Sequence, residues 1–183
     1  MGFDLRCCKP HSIKCGEMKT ADILLLDLEH EIGSTRRVLE RIPEDNPQWK
    51  PHDKSMPIGR LALHVARLPE FGTRILKTDV MNFDTEKFPD FTFQTTAHLL
   101  SELGRTSSEA RTQLSTSSDE DLARHWKFIF KGHAVVDAPK MVLYRTMFLN
   151  HLVHHRGQLT VYLRLLDIKV PGLYGPSADE PFG

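Results

Sequence analysis

Apolar residues fall three and four apart over four long stretches of the chain, the spacing of helices that bury one face. From Met18 to about Arg41 the stripe is Ile23, Leu24, Leu26, Leu28, Ile32, Val38, Leu39 and Ile42. Pro43, Pro47 and Pro51 break the pattern through a polar loop. Ser55 is then placed to cap a second helix, with Pro57 near its first turn. That helix carries Ile58, Leu61, His64, Val65, Leu68, Phe71 and Ile75. Pro69 lies inside it, removes the bond to the Val65 carbonyl, and predicts a kink or break just after His64.

Residues 78–94 read as a long connection rich in phenylalanine (Phe83, Phe88, Phe91, Phe93), expected to form the wall of a pocket. A third helix is expected from about Thr95 to Thr116, through Leu99, Leu100, Leu103, Ala110 and Leu114, ending at Ser117, Ser118 and Asp119. In His125 to Val136 the period changes to two: Trp126, Phe128 and Phe130 alternate with polar residues, and Lys131-Gly132 turns the chain into a short β-hairpin. Pro139 suits the first turn of a fourth helix running to about Asp167. Its stripe is Val142, Tyr144, Phe148, His151, Leu152, His155, Leu159, Tyr162 and Leu166. Pro171, Gly172, Gly175, Pro176 and Pro181 make the tail irregular. The fold class is all-α, a four-helix bundle with a β-hairpin inserted before the last helix.

Composition narrows the function classes. At 183 residues the chain is most simply one domain. Its 24 basic and 24 acidic residues cancel, which gives no electrostatic reason to expect nucleic acid or anionic lipid as a partner. No run approaches the roughly 18 apolar residues of a membrane span, and Met1 to Glu17 holds no apolar segment of signal-peptide length. The expectation is a cytoplasmic protein. Cys7, Cys8 and Cys15 all fall in that first stretch, an odd count that makes no disulfide framework. With His11 they could bind a metal, but adjacent cysteines lack the gap that structural zinc sites favour. Residues 1–17 are expected to be a poorly ordered extension before a domain spanning 18–183, with Met18 a candidate start.

Three residues in the stripes are out of character for a core. His151 and His155 are four apart, so they stack about 40° apart around one helix. His64 occupies a core-type position on another. An imidazole buried without a partner costs roughly 1–3 kcal/mol, so three on facing seams ask for a joint explanation. Three neutral nitrogens around one divalent ion provide it, and imidazole suits zinc, nickel, iron and copper alike. Three protein ligands leave positions open for a thiol or water, whose pKa the ion's uncompensated charge would lower. His154 is a rival about 60° to the other side of His151, better placed beside the ligands or at an interface. His30, His52, His98, His125 and His133 fall in polar or loop contexts, where exposure to solvent is expected. Glu-x-x-His pairs and His-Glu-x-x-His are absent, which excludes carboxylate-bridged di-iron and zincin sites.

The segments Ser55 to His64 (SMPIGRLALH), His151 to Gln158 (HLVHHRGQ) and Pro171 to Glu180 (PGLYGPSADE) resemble the DinB superfamily of metal-dependent bundle proteins. The resemblance runs from about Met18 to the C-terminus. It implies an up-down-down-up four-helix bundle, often dimeric, with a metal on His64, His151 and His155. Some similar proteins are transferases that join a low-molecular-weight thiol to an electrophile, or isomerases that use such a thiol. Most have no assigned activity, and fold analogy alone assigns none here.

Around the triad, Gln158 and Asn150 are placed to orient the histidines. Arg156 could grip a substrate carboxylate or make an interhelical or dimer salt bridge. Tyr144 and Tyr162 are expected to line a substrate cavity. Gly157 costs roughly 1 kcal/mol inside a helix against alanine, which points to close approach of another helix. The expectations are a metal-dependent enzyme, thiol-transferase-like or hydrolase-like, working on a small molecule as a homodimer joined through helix faces. The alternatives are a non-catalytic metal-binding or stress-response protein, or a hydrogen-bonded histidine cluster without metal.

Overall fold

The computed structural model describes residues 18–87 and 90–181. The expected extension, Met1 to Glu17 with its three cysteines, and Phe88 lie outside the described residues. The chain is mostly helical, with a small three-stranded sheet. In order it forms α1 (Thr20–Leu39), α2 (Ile58–Lys77), β1 (Val80–Asn82), α3 (Thr96–Ser115), α4 (Asp119–Ala123), β2 (His125–Phe130), β3 (His133–Pro139), α5 (Lys140–Leu143), a π-helical segment (Tyr144–Leu149) and α6 (Asn150–Leu165).

The long helices form where the stripes predict them. Leu24, Leu28, Ile32 and Leu39 of α1 are buried, as are Leu61, Val65, Leu68 and Ile75 of α2. Thr95 caps α3 by accepting the His98 N–H at 3.1 Å. Ser55 does not cap α2. Pro57 precedes the helix, and the loop supplies carbonyls instead: Ile58 N–H donates to Trp49 (2.9 Å) and Gly59 N–H to Pro47 (3.0 Å). Pro69 does not break α2 either, since the helix continues unbroken to Lys77. One lost backbone bond is outweighed by a face on which Leu68, Pro69, Gly72 and Thr73 are all buried.

The connection after α2 contains a strand that the pattern does not reveal. β1 is three residues long, too short to show a period of two, and pairs parallel with β2 through Val80–Lys127, Met81–Phe128 and Asn82–Ile129. β2 and β3 form the expected antiparallel hairpin. Lys131 (φ 52°) and Gly132 (φ 73°) both turn through the left-handed region, as a two-residue hairpin loop requires. Asp84, just after β1, accepts both of their N–H groups at 2.9 Å. The short α4 also escaped the hydrophobic pattern. Its signal is polar: Ser118 accepts the Asp121 N–H at 3.0 Å while Asp121 accepts that of Ser118 at 3.2 Å, a reciprocal cap.

The larger core lies between α1, α2, α3 and the last helical stretch, while Ile75, Met81, Trp126 and Leu143 form a smaller one joining the sheet to α2. The last helix does not keep one α-helical period. Its π-helical segment widens a turn and advances the phase, so that Leu143, Tyr144, Phe148 and Leu149 are buried while Val142, expected in the stripe, stands 41% exposed. This segment meets α2 at Gly72, where a Cβ would lie 2.5 Å from the Phe148 ring. Glycine at that position lets the two histidine-bearing helices come together.

The tail is irregular, as expected, yet fixed at many points. Arg37 of α1 and Arg41 just beyond its end both reach Glu180, and Arg164 of α6 reaches Asp179 at 2.5 Å. Those carboxylates also accept the Gly172 and Val170 N–H groups at 3.0 and 2.8 Å. The Pro171–Glu180 motif is a strap pinned across the ends of α1 and α6.

Candidate metal centre

His64, halfway along α2, faces His151 and His155 of α6. The ring centres lie 5.3 Å (His64–His151), 4.8 Å (His64–His155) and 4.6 Å (His151–His155) apart. One nitrogen from each histidine can be chosen so that all three fall within 4.8 Å of one another. The Nε2 atoms of His151 and His155 are 2.8 Å apart. Two nitrogens on a tetrahedral zinc ion at about 2.0–2.1 Å would be about 3.3 Å apart, so the cluster is near coordinating geometry.

Its hydrogen bonds decide where the lone pairs point. The Nδ1 of His155 lies 2.7 Å from the side-chain oxygen of Gln158, an acceptor, and so carries the proton. The Met147 backbone acts on the His151 ring in the direction that favours protonation. The Nε2 of the neutral His155 ring turns its lone pair toward the Nε2 of His151, where it meets an N–H of His151 or, with that nitrogen unprotonated, shares a metal ion with it.

Electrostatics favours the metal at neutral pH. Burial, then the neighbouring His155 and His151, lowers the pKa of His64 to about 4. Burial is also the first cause holding His151 and His155 below the ordinary histidine value, opposed by the Met147 and Gln158 hydrogen bonds respectively. The rings are thus kept in the form that binds metal. Among the described residues no carboxylate belongs to the cluster.

A cavity of about 670 Å³ opens beside the triad, with His64 and His151 in its wall. Its apolar lining comes from Leu68, Phe71, Met81, Phe91, Phe128 and Met147, and Phe83 closes one side. The phenylalanine-rich connection thus contributes Phe83 and Phe91, as expected. Phe93 instead packs against Gly59 and the main core. His154 is exposed and in the cavity wall, its ring 4.9 Å from that of His155. Gln158 orients a histidine as expected, whereas Asn150 lines the cavity.

Three expected substrate contacts lie elsewhere. Arg156 is 1% exposed and points away from the histidines. It pairs with the Glu31 carboxylate at 2.6 Å and donates to the Glu31 carbonyl (3.0 Å), Thr35 (3.3 Å) and the Tyr174 hydroxyl (2.5 Å). The interhelical alternative is the one realised. Tyr144 is turned by the π-helical segment into the core, where its hydroxyl has no hydrogen-bond partner among the described residues. Tyr162 shares the histidine face but sits seven residues, about 10 Å, beyond His155, where Trp49 covers it edge-on at 5.6 Å. The cavity lies toward the other end of α6.

Two further expectations are corrected. A Cβ on Gly157 would meet no atom within 4 Å, so among the described residues no other helix approaches it. His98 is not a solvated side chain, since its Nδ1 is buried with no partner among the described residues. The residues that sequence reasoning missed are the wall residues Met147, Met81, Phe71 and Phe128. Their roles depend on the π-helical segment and on β1, neither of which has a hydrophobic period to read.

The DinB family model matches residues 18–181. The chain belongs to the DinB family. A relative from Bacillus subtilis (strain 168), named "Uncharacterized protein YrdA", is 25% identical over 164 residues, covering 88% of this chain and 92% of the relative. A crystal structure of a DinB-like protein from Bacillus cereus ATCC 10987 superimposes with a TM-score of 0.62 at 24% identity, over 82% of this chain and 95% of that one. A second, the DinB-like protein YjoA from Bacillus subtilis, gives a TM-score of 0.63 at 18% identity over 87% and 96%. At these identities the two structures show the shared fold. Among the described residues no helix is long and apolar enough to cross a membrane.

Proposed function

We propose that this DinB family protein is a metal-dependent enzyme, with His64, His151 and His155 holding one divalent ion and the adjoining cavity holding a small-molecule substrate. The observation that carries the reading is the convergence of three half-buried histidines, one ring nitrogen from each within 4.8 Å of the others, with an open cavity alongside. A bound divalent ion would lower the pKa of a thiol or water reaching it toward neutrality. The chain's own residues do the rest. Gln158 fixes the His155 ring, the walls exclude bulk water, and Met147 and Phe128 hold the substrate against the histidines. Zinc, nickel and iron all suit this donor set.

The cavity favours turnover over a purely metal-binding role, because a storage or structural site has no need of a space of this size against its ligands. Transfer of a low-molecular-weight thiol to an electrophile is the proposed reaction class, with hydrolysis the runner-up. In the transfer, the thiol loses its proton, its sulfur forms a bond to the electrophilic carbon, and the leaving group departs with the electron pair. The test is conjugation of a panel of such thiols to chlorobimane, followed by fluorescence. Product formation that needs added metal and disappears in His64→Ala supports the reading. Metal-independent rates, or equal rates in the variant, would remove it.

The four long helical stretches are further proposed to form the up-down-down-up bundle of the family in a single cytoplasmic domain from residue 18 onward. The proposed assembly is a homodimer across the outer face of α6. There Val161 and Leu165 are each 57% exposed beside Gly157, and Ile23 and Leu26 of α1 are exposed as well. Sedimentation of Val161→Glu should show monomer where the parent chain is dimeric, and deletion of residues 1–17 should leave the dimer intact.

A further inference from the structure

The charges around the cavity, taken with its walls, restrict what it can hold. Arg67 is held by Glu102 at 2.7 Å and also donates to the Asp90 carbonyl at 2.7 Å. Arg74 is paired with Glu86, and Glu70 lies 3.5 Å from Arg105. Each of these lining charges is already matched by an opposite charge of the protein. Among the described residues Lys87 is the lining cation without an ion pair, and it sits at the exposed rim.

The walls between are mostly carbon and sulfur, with Thr146 and Asn150 the uncharged polar side chains among them. Trp126 behind them meets Phe71 edge-on at 5.9 Å and stacks on Phe128 at 6.2 Å, and Phe83 meets Phe128 edge-on at 5.8 Å. This connected aromatic set fixes one side. Met81 and Met147, from the sheet and the π-helical segment, supply adaptable thioethers on the others. A ligand buried here exchanges water for ring faces and sulfur, and a charged group would find no free side-chain partner short of Lys87 at the rim.

We propose that the cavity takes an uncharged, largely apolar molecule containing an aromatic-sized ring, which lies against Phe71, Phe128 and Met147 with its reactive end toward His64 and His151. The placement of the reactive end rests on the histidine cluster being the reacting centre. The ligand class rests on the cavity itself.

The experiment uses the full-length chain, both metal-stripped and zinc-supplemented, titrated with N-phenylnaphthylamine, an uncharged fluorophore that brightens in apolar surroundings. Its sulfonated counterpart, anilinonaphthalenesulfonate, is the anionic control. The expected result is saturable binding of the neutral probe at one site per chain, about tenfold or more tighter than the sulfonate, in both preparations. Met147→Glu and Phe83→Glu each place a carboxylate in the wall and should weaken it by about tenfold or more. Val135→Glu, on exposed β3 away from the cavity, should leave it unchanged. Circular dichroism identifies a variant that has not folded, and the neutral-to-sulfonate preference of the parent chain needs no variant. Absence of saturable binding, tighter binding of the sulfonate, or indifference to both wall substitutions would overturn the proposal. Metal content measured on the same samples separates the two readings. A chain that binds the neutral probe but no metal loses the reacting centre and keeps the ligand class, and the converse loses the ligand class alone.

Discussion

Neighbouring residues of α6, His155 and Arg156, point into two polar clusters of opposite character. On one side His155, His151 and His64 form a set of neutral rings, one nitrogen from each within 4.8 Å of the others, with Gln158 bonded to the outer nitrogen of His155. On the other, Arg156 meets a carboxylate, a backbone carbonyl and two hydroxyls, and its guanidinium lies 5.2 Å from the centre of the Tyr174 ring. The second cluster is complete within the chain, tying α1, α6 and the tail strap together. The first has fewer partners within the chain, and it adjoins the large apolar cavity of about 670 Å³. Of these two clusters, the one with incomplete pairing lies against space for a ligand, and the one with complete pairing holds elements together.

The sharpest way to break the contrast is to unbalance the balanced side. Arg156→Ala leaves Glu31, whose side chain is 14% exposed, without its cation. Removing one partner of a buried pair costs about 3–5 kcal/mol, so the denaturant midpoint should fall by that equivalent. Zinc bound per folded chain should be unchanged. A stable variant that had lost metal would reverse the assignments of the two sides.

Acid should act on the other side first. In the metal-free protein His64 has a pKa of about 4, against about 6.5 in the unfolded chain. Above pH 6.5 both states are unprotonated there and the residue confers no pH dependence. As pH falls from about 6.5 to about 4 the unfolded state takes up a proton that the folded state does not, so stability declines, by on the order of 3 kcal/mol at most. Urea titrations across that range should show the decline, and His64→Ala should reduce it without abolishing it, since His151 and His155 are also held below the ordinary value. The same depressed values mean that metal is released at a lower pH than an ordinary histidine set would give, with the midpoint below about 6.5 rather than spread upward to pH 8.

Smaller effects sharpen the comparison. Gln158→Ala frees the His155 ring without removing a ligand and should weaken zinc binding about 10- to 100-fold by competition with a chelating dye. Tyr174→Phe removes a hydroxyl that bridges Arg156 and Glu31 in a ring that is 64% exposed. It should cost about 1 kcal/mol in thermal unfolding and nothing in metal affinity.

The two sides were not equally legible in the sequence. His64, His151 and His155 stand out because helical spacing puts three imidazoles where aliphatic residues belong, and any α-helical register keeps a pair four apart on one face. Arg156 has no such signature, because its meaning depends on Glu31 and Tyr174, 125 residues before and 18 after it. The long helices and the hairpin followed from their periods. The π-helical segment did not, since a change of turn width leaves no mark in composition, and it misled the reading of Tyr144 and Val142. β1 was hidden by its three-residue length, and with it the origin of Met81 in the cavity wall. The polar cap of α4 was readable in Ser118 and Asp121 but was taken as the end of α3.

The central claim is that the unbalanced cluster is a metal site made of these three histidines. Its most direct test is zinc titration of the untagged, chelator-stripped chain at pH 7.5, with bound metal measured by elemental analysis. The account predicts one zinc ion per chain, lost in His64→Ala, His151→Ala and His155→Ala alike and retained in Arg156→Ala and His154→Ala. Undiminished zinc in the three histidine variants, or no zinc bound by the parent chain together with a failure to bind nickel or iron, would contradict it.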